Sequence, residues 1–156
     1  MKPVLLLAAA LLALPALATD HGERTPSGAL VFDFEALPDS RRPVLAALFA
    51  DREALRDRVP LRQVRLEPDS GTARWSIEDL PPGRYAVLAF QDGNGNDCLD
   101  RRRNGRPLEP YATSGERGRG APRFDRVSVD YAGATVRFTI DRWEVPQARA
   151  GAGVGT

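Results

Sequence analysis

From Ala29 the chain alternates with period two: Leu30, Phe32, Phe34 and Ala36 fall on one side and Asp33 and Glu35 on the other. That spacing predicts a strand with one face buried and one face wet. Leu37-Pro38-Asp39-Ser40 carries turn chemistry. Val44 to Phe49 is a short, bounded apolar run and reads as a second strand, with helix as its rival because Leu45-Ala46-Ala47-Leu48 has high helix propensity. Asp51 to Val59 is charged and predicts a helical turn ahead of Pro60. Arg62 to Leu66 alternates with Val64 and Leu66 inward, and Thr72 to Ile77 with Ala73, Trp75 and Ile77 on one side.

Leu80-Pro81-Pro82-Gly83 is a tight punctuation mark. Arg84 to Phe90 follows, apolar on both faces, as a central strand requires. Residues 92–123 are rich in Gly, Asn, Asp, Arg and Pro and read as one long loop. Val127 to Tyr131 and Thr135 to Trp143 predict a closing hairpin around Ala132-Gly133, with Val136, Phe138 and Ile140 inward. About seven short strands with turn signals between them predict an all-β, immunoglobulin-like or prealbumin-like β-sandwich with one long loop. Two sheets then bury their alternating apolar faces against each other.

Composition narrows the classes of function. A chain of 156 residues is one ordinary domain. Apolar residues at 42% and charged residues at 28% allow a packed core. A net charge of +1 removes any electrostatic case for nucleic-acid binding. The single cysteine excludes an internal disulfide framework and a thiolate zinc site, and the single histidine, His21, excludes multi-histidine metal centres.

The N-terminus reads as an address. Lys2 precedes an apolar run from Val4 to Leu17 that ends in Ala16-Leu17-Ala18, the pattern of a secretory signal peptide cleaved after Ala18. The run is shorter than the roughly 20 residues a spanning helix needs, and no second apolar span follows it, so no transmembrane span is expected in the mature chain. Residues 1–18 are therefore the expected leader, 19–27 a flexible arm, 28–143 the folded domain and 144–156 a disordered Ala/Gly-rich tail. The expected destination is the periplasm or the medium. Lys2, the only lysine, leaves with the leader, and the mature chain is formally neutral.

The stretch Asp92-Gly93-Asn94-Gly95-Asn96-Asp97-Cys98-Leu99-Asp100 carries the most chemistry. Its oxygen-bearing side chains at positions 1, 3, 5 and 9 match the start of an EF-hand loop, and position 7, Cys98, offers its backbone carbonyl. Ca²⁺ takes six to eight oxygens, and alternate side chains of a curled loop can all aim at one centre. Gly93 and Gly95 are expected to allow the curl through positive φ. Position 6 is Asp97 where glycine is usual, and position 12 is Arg103 where a bidentate glutamate is usual. Glu109, reaching back from the following segment, is the candidate replacement. The expected ligand set is Asp92, Asn94, Asn96, Cys98, Asp100 and Glu109, with Ca²⁺ held in the range of about 10⁻⁴–10⁻³ M. The competing reading is an ion-free connection stabilised by Asx turns.

Leu80-Pro81-Pro82-Gly83-Arg84-Tyr85-Ala86-Val87, running into Phe90-Gln91-Asp92-Gly93-Asn94-Gly95-Asn96 and Leu99-Asp100, resembles the uncharacterised bacterial family DUF2141. Gly105-Arg106-Pro107-Leu108-Glu109-Pro110-Tyr111 and Pro122-Arg123-Phe124 resemble its later motifs, and the likeness spans about residues 28–143. The Pro-Pro-Gly-x-Tyr piece is shared with transthyretin-like and collagen-adhesin B-type sandwich repeats. The resemblance implies an exported β-sandwich domain and no established activity. The family commonly has glycine where this chain has Asp97, and often His or Phe where it has Gln91.

Other residues have a functional and a plain reading. Cys98 is a reactive thiol or a small, partly buried loop residue; no neighbouring His or Lys activates it. Arg101, Arg102, Arg103, Arg106, Arg117, Arg119 and Arg123 form an anion-binding patch, or a solvated loop balancing nearby acids. Trp75 is expected in the core. Trp143, at a strand end, either stacks on a sugar or packs into the core, and Tyr111 and Phe124 either line a groove or pin the long loop. Asp92 and Asp100 would be the acid–base pair of a glycoside hydrolase, but both sit in one loop with metal-like spacing. The sequence thus points first to an exported, non-enzymatic binding or structural module whose partner is an envelope protein or a glycan. An envelope hydrolase acting on glycan or peptide through its Asp/Glu cluster is one alternative, and an ion-free domain binding another envelope protein is the other.

Overall fold

The computed structural model describes residues 28–116, 118 and 120–147. The leader assigned to 1–18, the arm at 19–27 with His21, and the tail from 148 onward lie outside the described residues. Eight strands and two short helices follow one another: β1 Leu30–Phe34, β2 Val44–Phe49, α1 Arg52–Asp57, β3 Arg62–Leu66, β4 Ala73–Ile77, β5 Gly83–Gln91, β6 Tyr111–Thr113, α2 Phe124–Val127, β7 Ser128–Tyr131 and β8 Val136–Ile140.

They form a β-sandwich of two sheets. One is three-stranded with the order β4-β1-β8, and the other runs β3-β2-β5-β6 with β7 also paired to β5. β5 is the long central strand. One edge pairs with β2, placing Val44 opposite Gln91. The other edge is shared: β7 takes Gly83–Ala86 and β6 takes Leu88–Phe90. Ser114 bridges the gap between them. Its hydroxyl accepts from the Val87 amide at 2.8 Å and donates to the Val127 carbonyl at 2.5 Å.

The main core lies between the sheets. Leu30, Phe32 and Phe34 of β1 meet Val44, Ala46 and Leu48 of β2 and Tyr85, Val87 and Ala89 of β5, with Trp75 and Ile77 alongside. Phe32 and Phe138 stack with centroids 6.0 Å apart. A second, smaller cluster sits on the opposite face of the five-stranded sheet, where α1 and α2 cover Phe49, Ala86 and Val127 with Leu55. Six residues of helix are marginal alone. α1 is held by Leu55 beneath it and by the Asp51 carboxylate, which accepts from the Ala54 amide at 2.7 Å.

Several expectations are corrected. β1 is buried on both faces: on the outer one Val31 is shielded, and long side chains from the flanking strands reach over it, Arg74 at 2.5 Å and Arg137 at 3.4 Å from Asp33. Ala36 lies beyond the strand with φ of 49° and is exposed. The long loop contains β6, which brings the strands among the described residues to eight. Three residues are too few for a periodicity to show. Val127 closes α2, and the last strand ends at Ile140. The expected closing hairpin is absent: β7 pairs with β5 and β8 pairs in parallel with β1, so the chain crosses between sheets at Ala132-Gly133. Alternation shows which side of a strand is apolar and not which strand it joins. Gly28 anchors the crossing. Its amide donates to the Gly133 carbonyl at 2.7 Å, its carbonyl accepts from the Tyr131 hydroxyl, and a Cβ there would overlap the Ala134–Thr135 backbone.

Phe32→Ala removes a fully buried ring shared by both sheets and is expected to lower the unfolding free energy by about 3–5 kcal/mol. Urea denaturation of the two proteins measures it.

Candidate functional site

The site begins where β5 leaves the core. Gln91 is fully buried, with 0% of its surface exposed. Its Oε1 accepts from the Asp39 amide at 3.0 Å, and its Nε2 donates to the carbonyls of Asp39 at 2.6 Å and Arg42 at 3.2 Å. The side chain thus closes the β1–β2 connection over the end of β5. The Asp92 amide donates to Pro43 and the Gln91 amide to Pro110. The first loop residue therefore starts from a backbone held on both sides.

Asp92 follows, also buried. Its Oδ1 accepts from the amides of Asn94 at 3.2 Å and Gly95 at 2.7 Å, and its Oδ2 from the amide of Asp97 at 3.0 Å. Asn94 Oδ1 accepts from the Asn96 amide at 3.2 Å, and Asn96 Oδ1 from the Cys98 amide at 2.9 Å. These are successive Asx turns, in which each alternate side chain satisfies the backbone two residues on. The curl needs left-handed backbone at Gly95, φ 76°, and at Asp97, φ 57°. Asp97 thus adopts the conformation for which glycine is usual at that position. Gly93 does not supply positive φ, contrary to the expectation. A Cβ there would meet the Arg42 guanidinium, the far end of a half-exposed flexible side chain.

Three side chains then meet. Asn94 Nδ2 donates to Asp100 Oδ2 at 2.7 Å and Asn96 Nδ2 donates to the same oxygen at 3.2 Å. Glu109, 7% exposed, reaches back to the loop: Oε1 accepts from the Gly93 amide at 2.7 Å and Oε2 from the Asp100 amide at 3.2 Å. One carboxylate therefore clasps both ends of the loop. Beyond it, residues 100–108 form a small hairpin, with Leu108 N to Asp100 O and Arg102 N to Arg106 O, each at 2.8 Å.

Arg65 was read in the sequence only as an outward position on its strand. It projects from β3 to the loop, where its Nη1 lies 3.5 Å from Asp92 Oδ2 and is hydrogen-bonded to Asp97 Oδ1. One intervening strand, β2, separates Arg65 on β3 from β5 at the root of the loop, so only the register could reveal the contact. Burial pushes the Asp92 carboxyl up, but the amides of Asp97, Gly95, Asn94 and Asn96 outweigh it and hold the group below its ordinary 3.8.

The remaining candidates are scattered. Cys98 is exposed and free, not partly buried. Trp75 is in the core. Trp143 packs on Phe34 and donates from Nε1 to the Glu35 carbonyl at 2.9 Å. Phe124 supports the second cluster. Tyr111 sits on β6 and donates to Glu144 Oε2 at 2.5 Å; Glu144, assigned to the tail, also forms a β-bridge with Tyr111. Among the described residues no three His, Cys, Asp or Glu side chains gather closely enough to hold a metal ion. A cation at this loop would rely on asparagine and backbone oxygens beside Asp92 and Asp100.

Residues 33–139 match the family DUF2141, described as an uncharacterized protein conserved in bacteria. No curated protein and no solved structure matches the chain.

The lowered carboxyl at Asp92 stabilises the fold above its unfolded pKa, and that contribution is lost as pH falls through the folded value. Urea unfolding from about pH 6 to about pH 3 should show this acid loss, and Asp92→Asn should show less of it. At neutral pH Asp92→Asn is expected to cost about 1–3 kcal/mol, since an amide oxygen replaces the ionised acceptor of several N–H groups.

Proposed function

We propose that this chain, which belongs to the DUF2141 family, is an exported, non-enzymatic β-sandwich binding module whose Asp92–Asp100 loop takes a Ca²⁺ ion. The observation that carries the reading is the meeting of Asn94, Asn96 and Asp100 side chains at one oxygen, over a buried Asp92. Two N–H donors already converge there on a carboxylate. A hard cation at the same point replaces those N–H donors at the Asp100 oxygen, with the Asn94 and Asn96 amides turned so that oxygen and not nitrogen faces it, and takes in the Cys98 carbonyl. Asn94, Asn96, Cys98 and Asp100 are the nearest ligands; Asp92, whose oxygens accept from the Asn94, Gly95 and Asp97 amides, joins them only by sharing those oxygens, and Glu109 braces the loop from behind. Affinity in the range of about 10⁻⁴–10⁻³ M suits an extracytoplasmic module. The address is carried by Lys2, the Val4–Leu17 run and Ala16-Leu17-Ala18, with the leader removed after Ala18.

The ion's role is to set a surface. Asp100 is both a ligand and the first residue of the 100–108 hairpin. Holding Asp100 orients that hairpin toward a partner, an envelope protein or a glycan.

A second reading rests on Arg65. Its guanidinium already supplies positive charge to Asp92 and Asp97, and the Asx turns leave few loop amides unmet. On that reading the loop is an ion-free connection in a structural domain. Hydrolase chemistry has less support, because the Asp92 side chain is 0% exposed and its oxygens are taken by amides.

Thermal unfolding in EDTA, CaCl₂ and MgCl₂ decides between the two. Calcium at tenfold its dissociation constant should stabilise by about 1.4 kcal/mol, a rise of roughly 3–6 °C. Magnesium should give less, and Asp100→Ala should remove the response. An unchanged melting temperature in millimolar CaCl₂ would establish the ion-free reading.

A further inference from the structure

The helices α1 and α2 cover only one end of the outer face of the five-stranded sheet. Beyond them a groove of about 1130 Å³ opens. Its floor includes Leu88, Phe90 and Tyr111, side by side because Phe90 pairs with Tyr111 and Leu88 with Thr113. Its walls carry Arg58 from the end of α1 and Arg101, Arg102 and Arg106 from the 100–108 hairpin. Glu144 is the carboxylate in the lining, and it accepts from the Tyr111 hydroxyl. Among the described residues none of these four arginines forms an ion pair.

Arg58 is the telling member. It closes α1 in the left-handed conformation, φ 60°, at a position where glycine is the common residue. A strained backbone that keeps a long cationic side chain points to a use for that side chain. The use is not packing against an acid. Burial, and after it the positive charge of Arg101, pull the Arg58 guanidinium below its ordinary value. Two like charges thus face one groove over an apolar floor, and among the described residues neither is ion-paired. Guanidinium forks match tetrahedral oxyanions in geometry, and an anion seated there relieves the repulsion.

We propose that this groove binds a phosphate-bearing ligand, with the phosphate between Arg58 and Arg101 and the body of the ligand on Leu88, Phe90 and Tyr111. The groove adjoins the Asp92–Asp100 loop through Leu99 and the 100–108 hairpin, but its ligand contacts are arginines and apolar side chains and not the oxygens of that loop. Arg103 and Arg123, members of the basic run in the sequence, do not line the groove. Arg117 and Arg119 lie outside the described residues. Arg58, far away in sequence, joins it only through the fold.

The test is calorimetric titration of the full chain with pyrophosphate in about 0.15 M salt, where exposed charges are screened. Cosedimentation with phosphatidylglycerol and with phosphatidylcholine vesicles runs in parallel. Three variants are compared with the parent: Arg58→Gly, Arg101→Gln, and Arg41→Gln as an exposed control outside the groove. Saturable pyrophosphate binding that weakens about tenfold or more in Arg58→Gly and Arg101→Gln, and not in Arg41→Gln, is the expected result. If only phosphatidylglycerol vesicles bind, with the same variant pattern, the phosphate belongs to a lipid headgroup. Arg58→Gly also guards against misfolding, since glycine suits the left-handed position and the melting temperature should hold or rise. No saturable binding of either probe, or equal weakening in Arg41→Gln, overturns the proposal.

Discussion

A carboxylate that leaves water must find its hydrogen bonds elsewhere, and the Asp92 carboxylate has left water completely. It finds them in the amides of Asn94, Gly95 and Asp97. Those bonds define the curl of the loop, and the curl defines where Asn94 and Asn96 point. Glu109 repeats the device from outside by taking the amides of Gly93 and Asp100. Two buried carboxylates thus do for this loop what a ladder of strand hydrogen bonds does for a sheet.

The loop is positioned by the sandwich because β5 is its root. β5 is paired along one side by β2 and along the other by β7 and then β6. Its last residue, Gln91, is locked to Asp39 and Arg42. Motion at the root is therefore opposed by both neighbouring strands and by a buried amide. The hairpin from 100 to 108 inherits that anchoring at Asp100 and Leu108 and carries three arginines out over the face of the sheet. Anchored base and exposed cationic tip are what a recognition surface requires.

Much of the frame was legible in the sequence, for local reasons. The alternation in Ala73–Ile77 appears as buried and exposed residues in turn, and the apolar run at the centre of Gly83–Gln91 is a central strand. The Asp92–Asp100 spacing was visible because Asx turns act over two or three residues. Glu109 was visible as a carboxylate near a loop short of one. Three features were not visible. The separation of β7 and β8 into different sheets leaves their inward pattern unchanged. β6 is three residues long, below any detectable period. Arg65 and Arg58 read as ordinary exposed charges on a strand and a helix end.

The sequence by itself determined the all-β class, most strand positions, the family and the curled loop, because each depends on neighbours within a few residues or on a contiguous motif. The tertiary structure alone decided which sheet each closing strand joins, which arginine meets Asp92, and which arginines share a groove. The first depends on the crossing at Gly133, and the others on strand register, which brings together residues as distant as Arg65 and Asp97, or Arg58 and Arg101. Hydrophobic alternation sets the face a residue occupies, and only the pairing of strands sets what stands beside it.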